Sequence, residues 1–381
     1  MKKIIVLATA GAGGDLQPLL AVAFGLRERG HQLVFFGDTT VAAALRGMGI
    51  ETIGAAPEHD LGPRLIALSK ERQGLDLAAQ AELTQRRLAL WSQELAPAVE
   101  GLLHEQSADL LLTSLFGAGV AHLVSAQSGI PWCVINSTFY VGPHPPRPLE
   151  HDFHARTLLL FRSYFIPLLD QASLVLHATD PVFDYNHTAL PATHHYVGPL
   201  LWEAPAPIPT YLTEPGAPWV LVTLSSLVQD DLPLAHVALA ALAPHPVRVV
   251  LTPGGGHQPA ALHPVPPNAR VEPYVPHSAV LERSRLLLSH AGHGSVMKAL
   301  WYGVPLVLVP WDRDQPGVAA RAEHLGVASV VARDQLTDAL LTEAITRVLE
   351  DPRYQLRAQA VSRRLQADAP VATACGLIEQ M

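Results

Sequence analysis

Short, nearly continuous apolar runs recur along this chain, and each is followed by a segment of helical length. That alternation narrows the fold more than any other feature. Strands apolar on both faces need cover on both faces, and helices connecting parallel strands supply it. The runs at 3–8, 32–37, 110–114, 132–136 and 174–177 read as strands, and a second series follows at 219–224, 248–252, 286–289 and 306–309. The stretch LAVAFGLRERGH at 20–31 is an amphipathic helix closed by Gly30, and 64–104 reads as long, fairly polar helices.

Between the two series lies LWEAPAPIPTYLTEPGAPW, whose five prolines leave no room for a regular element. The expected class is α/β, two Rossmann-like doubly wound domains facing a cleft. We expect a first domain at 1–200, a linker at 201–218, a second domain at 219–352 and a helical segment at 353–381 that crosses back to the first. A chain of 381 residues with 49% hydrophobic and 16% charged residues can fill two such cores. Its net charge of −8 argues against nucleic acid or an anionic membrane as partner. Cys133 and Cys375 lie too far apart in sequence for a disulfide framework or a cysteine zinc site. The apolar part of MKKIIVLATAGAGGD, residues 4–8, is shorter than a signal core, and no later run approaches the roughly 20 residues that span a bilayer. The expected location is the cytoplasm, as a monomer or homodimer.

One junction demands chemistry. In LLLSHAGHGSVMKAL, 286–300, an apolar run stops at a glycine-rich turn and becomes helical. Such a turn aims backbone N–H groups and the helix dipole at an anion. Gly292 and Gly294 permit unusual dihedrals, Ser295 offers a hydroxyl, and His290 can donate to a phosphate oxygen. A tight turn with Ser295 as N-cap is the plain alternative. A metal site is the weaker one, because His290 and His293 lack a third ligand nearby. Downstream, Asp312, Asp314 and Gln315 follow a short strand, where a carboxylate and an amide can bind several sugar hydroxyls. Upstream, in PYVPHSAVL, Tyr274 can stack on a base and Val275 can offer backbone hydrogen bonds. Groups for base, diphosphate and sugar thus lie within one stretch and suggest a sugar nucleotide.

On these residues, 274–315 resembles the donor signature of the inverting, nucleotide-sugar-dependent glycosyltransferases of the GT-B fold, the family of plant secondary-product and bacterial antibiotic enzymes. The resemblance covers nearly the whole chain, strongly in the C-terminal half and around 9–38, weakly across 55–170. It implies that Tyr274 stands in place of the base-stacking Trp and His277 in place of a Gln. His290, Gly292 and Ser295 keep the diphosphate positions, with His293 and Gly294 among them, and Asp314 and Gln315 keep the sugar pair. Where the plant pattern has a ribose-binding Glu, this chain has Lys298, one of four lysines. A lysine cannot accept those hydrogen bonds; it either approaches the diphosphate as a point charge or is a solvated helix residue. UDP and dTDP therefore both stay open. Relatives use hydroxyl and backbone groups near the phosphates at the position of Ser225 and Ser226, for which a surface turn is the alternative. The loop TPGGGH reads as a mobile turn, with a second phosphate-approach loop as the alternative.

The first loop, TAGAGGDLQP, half-matches a dinucleotide fingerprint at Gly11 and Gly13, with Asp38 ending the second strand. Leu16 in the third glycine place and Pro18 weigh against nicotinamide. The loop resembles the bacterial G-x-x-G-D-x-x-P branch of the same family. Many relatives place a catalytic histidine here, supported by an aspartate after a later strand. This chain has Asp15, and Ser114 at the later strand, which implies Asp15 as the general base. The alternative is an N-cap with Pro18 in the first turn. Trp91, Phe116, Phe139 and Tyr140, with the loop VGPHPPRPLEHD, are candidates for an aromatic acceptor wall; core packing is the alternative for each. His151, His154 and the pair His194–His195 are expected at the surface. The implied function is inverting transfer of a hexose, glucose first, from a nucleotide diphosphate sugar, UDP first, to a hydroxyl of a small lipophilic or aromatic acceptor. No metal or further cofactor is expected. A nucleotide-sugar epimerase and a non-catalytic auxiliary protein of the same fold are the rivals.

Overall fold

The computed structural model describes residues 1–9, 13–142, 144–145, 147–187, 189–227, 229–255 and 257–381; Gly11, Pro143, Pro146 and Gly256, all in motifs singled out above, lie outside these. The chain forms two compact units. The first comprises Met1–Glu150, His154–Trp202 and Ala369–Met381, and the second His151–Phe153 and Glu203–Asp368.

The first unit is built on strands β1 (Lys3–Ala8), β2 (Gln32–Gly37), β3 (Thr52–Gly54), β4 (Leu110–Ser114), β5 (Trp132–Asn136), β6 (Leu174–His177) and β7 (His194–Tyr196). All pairs are parallel, in the order β3-β2-β1-β4-β5-β6-β7. The order therefore reverses between β1 and β4. Every residue of β4 and β5 is buried, as a sheet covered on both faces requires. The helix Gly13–Glu28 lays Leu19, Val22, Ala23 and Leu26 on Ile4, Val6 and Leu112. The helix Pro370–Glu379 completes the same core with Ala374, Cys375 and Ile378. Gly25 permits that packing, since a Cβ there would lie 2.5 Å from Val371 Cγ1. At the helix ends, Arg29 and His31 hold Glu379 at 2.6 and 3.0 Å.

The second unit repeats the plan with β8 (Trp219–Thr223), β9 (Arg248–Thr252), β10 (Ala269–Val271), β11 (Ser284–Ser289), β12 (Leu306–Leu308) and β13 (Ala328–Val330). Its parallel order is β10-β9-β8-β11-β12-β13, reversing between β8 and β11. The helix Pro352–Ala367 satisfies carbonyls left open at the end of the helix His293–Trp301: Ser362 Oγ and Gln366 Nε2 donate to Trp301 O at 2.6 and 2.7 Å, and Gln355 Nε2 to Gly303 O at 2.7 Å. Fully buried Asp152 and Arg321 pair at 3.0 Å, which places 151–153 with this unit.

These boundaries differ from those read off the sequence. The proline-rich stretch counts with the second unit from Glu203, because Tyr211 packs its ring 5.7 Å from that of Trp219. The tail divides: Pro352–Ala367 stays with the second unit and the chain rejoins the first at Ala369. Among the described residues no helix is long and apolar enough to cross a membrane.

The pair His194–His195, expected at the surface, instead forms most of β7, and His194 is 2% exposed. Asn136 Nδ2 donates to His177 Nδ1 at 2.8 Å, which puts the His177 proton on Nε2, 3.1 Å from His194 Nδ1. Among the described residues no group of three or more His, Cys, Asp or Glu is arranged to hold a metal ion. Burial, reinforced by neighbouring imidazoles, holds the His177 pKa well below its usual 6.5, and burial lowers that of His194 to about 4. Above pH 6.5 both folded and unfolded states are neutral at these rings. As pH falls below that, the unfolded chain takes up protons that the folded core refuses, so stability declines until the folded pKa is reached. The melting temperature should therefore fall as pH drops from about 6.5 toward 4, and less steeply in His194→Gln. Thermal melts across that range check it; identical slopes would refute the assignment.

Candidate active site

In a doubly wound sheet, ligands bind beyond the carboxyl ends of the strands where the strand order reverses. The sequence-derived candidates gather at the two such points, β1/β4 and β8/β11.

At β1/β4, Asp15 is the third residue of the helix Gly13–Glu28. It is therefore not the N-cap, and Pro18 falls in the second turn. Its carboxylate instead turns to the neighbouring strand ends: Ser137 Oγ, just after β5, donates to Oδ1 at 2.9 Å. Among the described residues Oδ2 has no partner at full hydrogen-bond geometry. Burial raises the Asp15 pKa; Ser114, Ser137 and the backbone of Phe116 and Leu115 pull it down without cancelling the rise. A carboxylate held above its ordinary range with an open oxygen is a competent proton acceptor.

At β8/β11, His290 follows β11 and Nδ1 contacts Thr223 O, at the end of β8, at 3.4 Å. Burial lowers its pKa to about 4, with Asp231 opposing and Arg313 adding to the shift. The ring is neutral near pH 7. Gly292 is needed beside it, because a Cβ there would lie 2.6 Å from His290 Nε2. The unusual dihedral expected of the glycines falls on Ala291, at φ 66°, while Gly292 sits at φ −63° as N-cap. The helix begins at His293, earlier than expected, and Ser295 is its third residue rather than its cap. The N–H groups of His293, Gly294 and Ser295 therefore make up the first turn; the His293 side chain is buried.

Loops after β8, β9 and β12 meet beside this turn. Ser225 is buried and Ser226 exposed. Asp231, fully buried, accepts from Ser225 N at 2.9 Å, Gln229 Nε2 at 2.9 Å and His257 Nε2 at 2.8 Å. Gly254, at φ 69°, carries the TPGGGH loop so near that a Cβ would lie 2.1 Å from Ser225 O, a place only glycine fills. Gln315 is 2% exposed and its amide serves its own loop, accepting from Trp311 N and Asp312 N at 2.8 and 2.9 Å and donating to Gln229 at 3.2 Å. Of the expected sugar pair, Asp314 is the accessible member. Just before them Arg313, at φ 60°, donates from Nη2 to Ser225 Oγ at 3.2 Å and to Gln229 Oε1 at 2.6 Å.

On the expected base side, Tyr274 is 55% exposed with its hydroxyl on Ala204 O at 3.2 Å, and Val275 is buried. His277 is half-buried, 3.0 Å from Thr252 Oγ1, and desolvation lowers its pKa to about 4. Lys298 is neither solvated nor a point charge awaiting phosphate: it is 5% exposed and pairs with Glu203 at 2.6 Å. Glu203 also accepts from the N–H groups of His277 and Ser278 at 3.0 and 3.1 Å. Burial opposes its ionisation, yet Lys298 and Ser278 outweigh burial and hold its pKa below the ordinary range.

The aromatic acceptor wall is largely core. Trp91 is 1% exposed with Nε1 donating to His59 O at 2.7 Å, because it faces inward from the helix Leu77–Gln106. Phe139 and Tyr140 are wholly enclosed, Tyr140 with its ring 5.2 Å from His177. Phe116 alone keeps an accessible face, its ring edge-on to Phe165 at 6.1 Å. Sequence reasoning missed Glu203, Gln229, Asp231, His257 and Arg313 as members of these clusters. Several lie inside stretches singled out above, but each joins its cluster through the reach of its side chain, which spacing does not reveal.

Two all-parallel sheets, each with one reversal, form the GT-B architecture, and comparison with known proteins agrees. Residues 237–378 match the family model described as erythromycin biosynthesis protein CIII-like, C-terminal domain. The chain is 27% identical to 4'-demethylrebeccamycin synthase of Lentzea aerocolonigenes, covering 98% of each chain. Among solved structures it resembles the calicheamicin glycosyltransferase CalG4, with a TM-score of 0.78 at 23% identity over 100% of this chain and 98% of the other. It also resembles the spinosyn rhamnosyltransferase SpnG complexed with thymidine diphosphate, with a TM-score of 0.76 at 18% identity over 99% of this chain and 100% of the other. The chain is thus similar over its whole length to glycosyltransferases of natural-product biosynthesis, and it is a glycosyltransferase.

Glu203→Ala would leave the buried Lys298 ammonium without its carboxylate, a loss of about 3–5 kcal/mol in urea unfolding. Replacing both partners, Glu203→Leu with Lys298→Met, should recover most of it. A single mutant as stable as the wild type would show the pair to be incidental.

Proposed function

We propose that this enzyme inverts the anomeric centre of a hexose as it moves that hexose from a uridine or thymidine diphosphate to a hydroxyl of a lipophilic acceptor. The observation that carries the reading is the division of chemistry between the two reversal points. One holds a buried carboxylate with an unpartnered oxygen and a raised pKa; the other holds a helix start with Ser295 in its first turn, arranged as an anion cradle beside a neutral His290. The acceptor oxygen attacks the anomeric carbon while its proton passes to Asp15 Oδ2. The bond from that carbon to the diphosphate oxygen breaks, and the electron pair leaves on the diphosphate. The first-turn N–H groups of His293, Gly294 and Ser295 receive the leaving group, fixed in place before the reaction begins.

Tyr274 offers its exposed ring to the base, Ser225 supports the phosphates from the β8 loop, and Asp314 binds sugar hydroxyls. No metal is required where fixed donors meet the charge. Relatives named for calicheamicin and spinosyn support a small lipophilic natural product as acceptor, and the thymidine diphosphate held by the spinosyn enzyme supports dTDP beside UDP as donor nucleotide.

Asp15→Asn should lower turnover by roughly 10²- to 10⁴-fold while calorimetric affinity for UDP or dTDP stays unchanged. In the wild type, kcat/KM should fall on the acid side with a midpoint above the ordinary carboxylate range, because protonated Asp15 cannot accept the proton. Near-wild-type turnover in Asp15→Asn would remove Asp15 from the mechanism.

A further inference from the structure

Asp231 holds a histidine that lies outside the stretch 274–315. Its fully buried carboxylate, in the loop after β8, receives His257 Nε2 at 2.8 Å and two further donors, Ser225 N and Gln229 Nε2, each at 2.9 Å. With three donors upon it, the carboxylate acts as an acceptor throughout. The bond therefore fixes a proton on His257 Nε2, and a ring with that proton alone presents a lone pair at Nδ1, on its opposite edge. Exposure orients the pair: it is 1% for the Asp231 side chain and 14% for that of His257, so the carboxylate lies inside and the imidazole opens outward. Among the described residues Asp231 is the one titratable group in contact with His257.

The loop TPGGGH is shaped to bring the ring to this place. A Cβ on Gly254 would lie 2.1 Å from Ser225 O, and one on Gly255 2.8 Å from Ser226 O, so this backbone rests directly on the loop that holds both serines. His257 follows two residues later and shares its acceptor with Ser225 N. Asp231 also acts on His290, whose charged form it favours against burial, so the pair stands beside the end of β11. The turn is thus held to the loop after β8 twice, by close backbone approach and by a buried carboxylate.

We propose that His257 binds the diphosphate of the donor as an imidazolium, with Asp231 behind it, and keeps that charge while the leaving group departs. The proposal rests on the donor-site reading above and adds to it a residue from the loop after β9. Diphosphate oxygens only accept, so a ring whose Nε2 proton is committed to Asp231 meets them with a second proton on Nδ1. A carboxylate at one edge and a phosphate at the other both favour the charged ring. The proton enters from solvent as the donor binds and stays in the hydrogen bond from Nδ1 to a diphosphate oxygen. When the anomeric C–O bond breaks, its electron pair passes to the diphosphate, opposite a charge already in place. The proton returns to solvent as the product leaves. A buried carboxylate behind an accessible imidazole is the arrangement that lets one ring change charge without moving.

Calorimetric titration of the full chain at about pH 8, where the free diphosphates have shed their titrating proton, compares UDP and dTDP with uridine and thymidine. Buffers of different ionisation enthalpy give the protons taken up. The wild type should take up a proton, in whole or in part, with either diphosphate and none with the nucleosides. His257→Gln keeps a donor for Asp231 but has no nitrogen to charge. It should bind diphosphate roughly ten- to hundredfold more weakly, take up no proton, leave nucleoside binding unchanged and melt like the wild type. His257→Ala, with neither nitrogen, should match it in diphosphate affinity and keeps the test open if the Gln variant proves unstable. A wild type that binds diphosphate without proton uptake would overturn the proposal. So would His257→Gln with diphosphate affinity within about twofold of wild type, or with equal losses for nucleoside and diphosphate, either of which makes His257 a tie for its loop. A wild type that binds neither diphosphate would instead overturn the donor-site reading itself.

Discussion

Reversal of strand order is the constraint on which both sites depend. Where successive crossovers switch from one side of a sheet to the other, the loops after two adjacent strands part and leave their carboxyl ends uncovered. At β1/β4 that opening is furnished by three loops, bringing Asp15, Ser114 and Ser137 together. At β8/β11 the loops after β8, β11 and β12 do the same with Ser225, His290 and Arg313. The apolar interiors of both sheets are fixed by burial. The ends are where polar side chains can face inward without entering the core.

Three carboxylates show how environment separates scaffold from reactive group. Asp231 accepts from three donors of its own unit and so ties the loops after β8 and β9 into one piece. A carboxylate filled in this way has little left to offer a ligand. Asp15 receives a full hydrogen bond at one oxygen only, and burial lifts its pKa by more than the hydrogen-bonding groups around it lower it. Glu203 is of the first kind, its oxygens taken by Lys298 and two backbone N–H groups. The same side-chain chemistry thus gives rigidity in two places and reactivity in one, decided by whether both carboxylate oxygens are taken.

The interior strands were legible because they are continuous apolar runs, and even the three-residue LVL of β12 announced itself. The four strands that escaped, TIG, HHY, ARV and ASV, are β3, β7, β10 and β13, the outer edges of the two sheets. An edge strand is paired on one side, so no long apolar run is demanded of it. The junction at 286–300 could be read because strand, glycine and helix start are local. Its helix start was misjudged because the left-handed turn falls on Ala291, a residue with no propensity for it. Trp91, Phe139 and Tyr140 were open to either reading because aromatic residues line cores and ligands alike. Glu203 and Arg313 could not be foreseen at all. Glu203 meets Lys298 across 95 positions and Arg313 meets Ser225 across 88, contacts that exist only once the fold has formed.

The discontinuity of the first unit bears on how the chain is made. Its core waits for Ala374, Cys375 and Ile378, which follow every residue of the second unit. A chain emerging from the ribosome can therefore assemble the second unit, from 203 to 368 with the early segment 151–153, while the first still lacks a helix over Gly25 and Val22. The half translated first is the half finished last. During that interval an exposed apolar strip on the helix Gly13–Glu28 awaits its cover, making the closing segment, rather than the opening one, the point at which synthesis and folding must be kept in step.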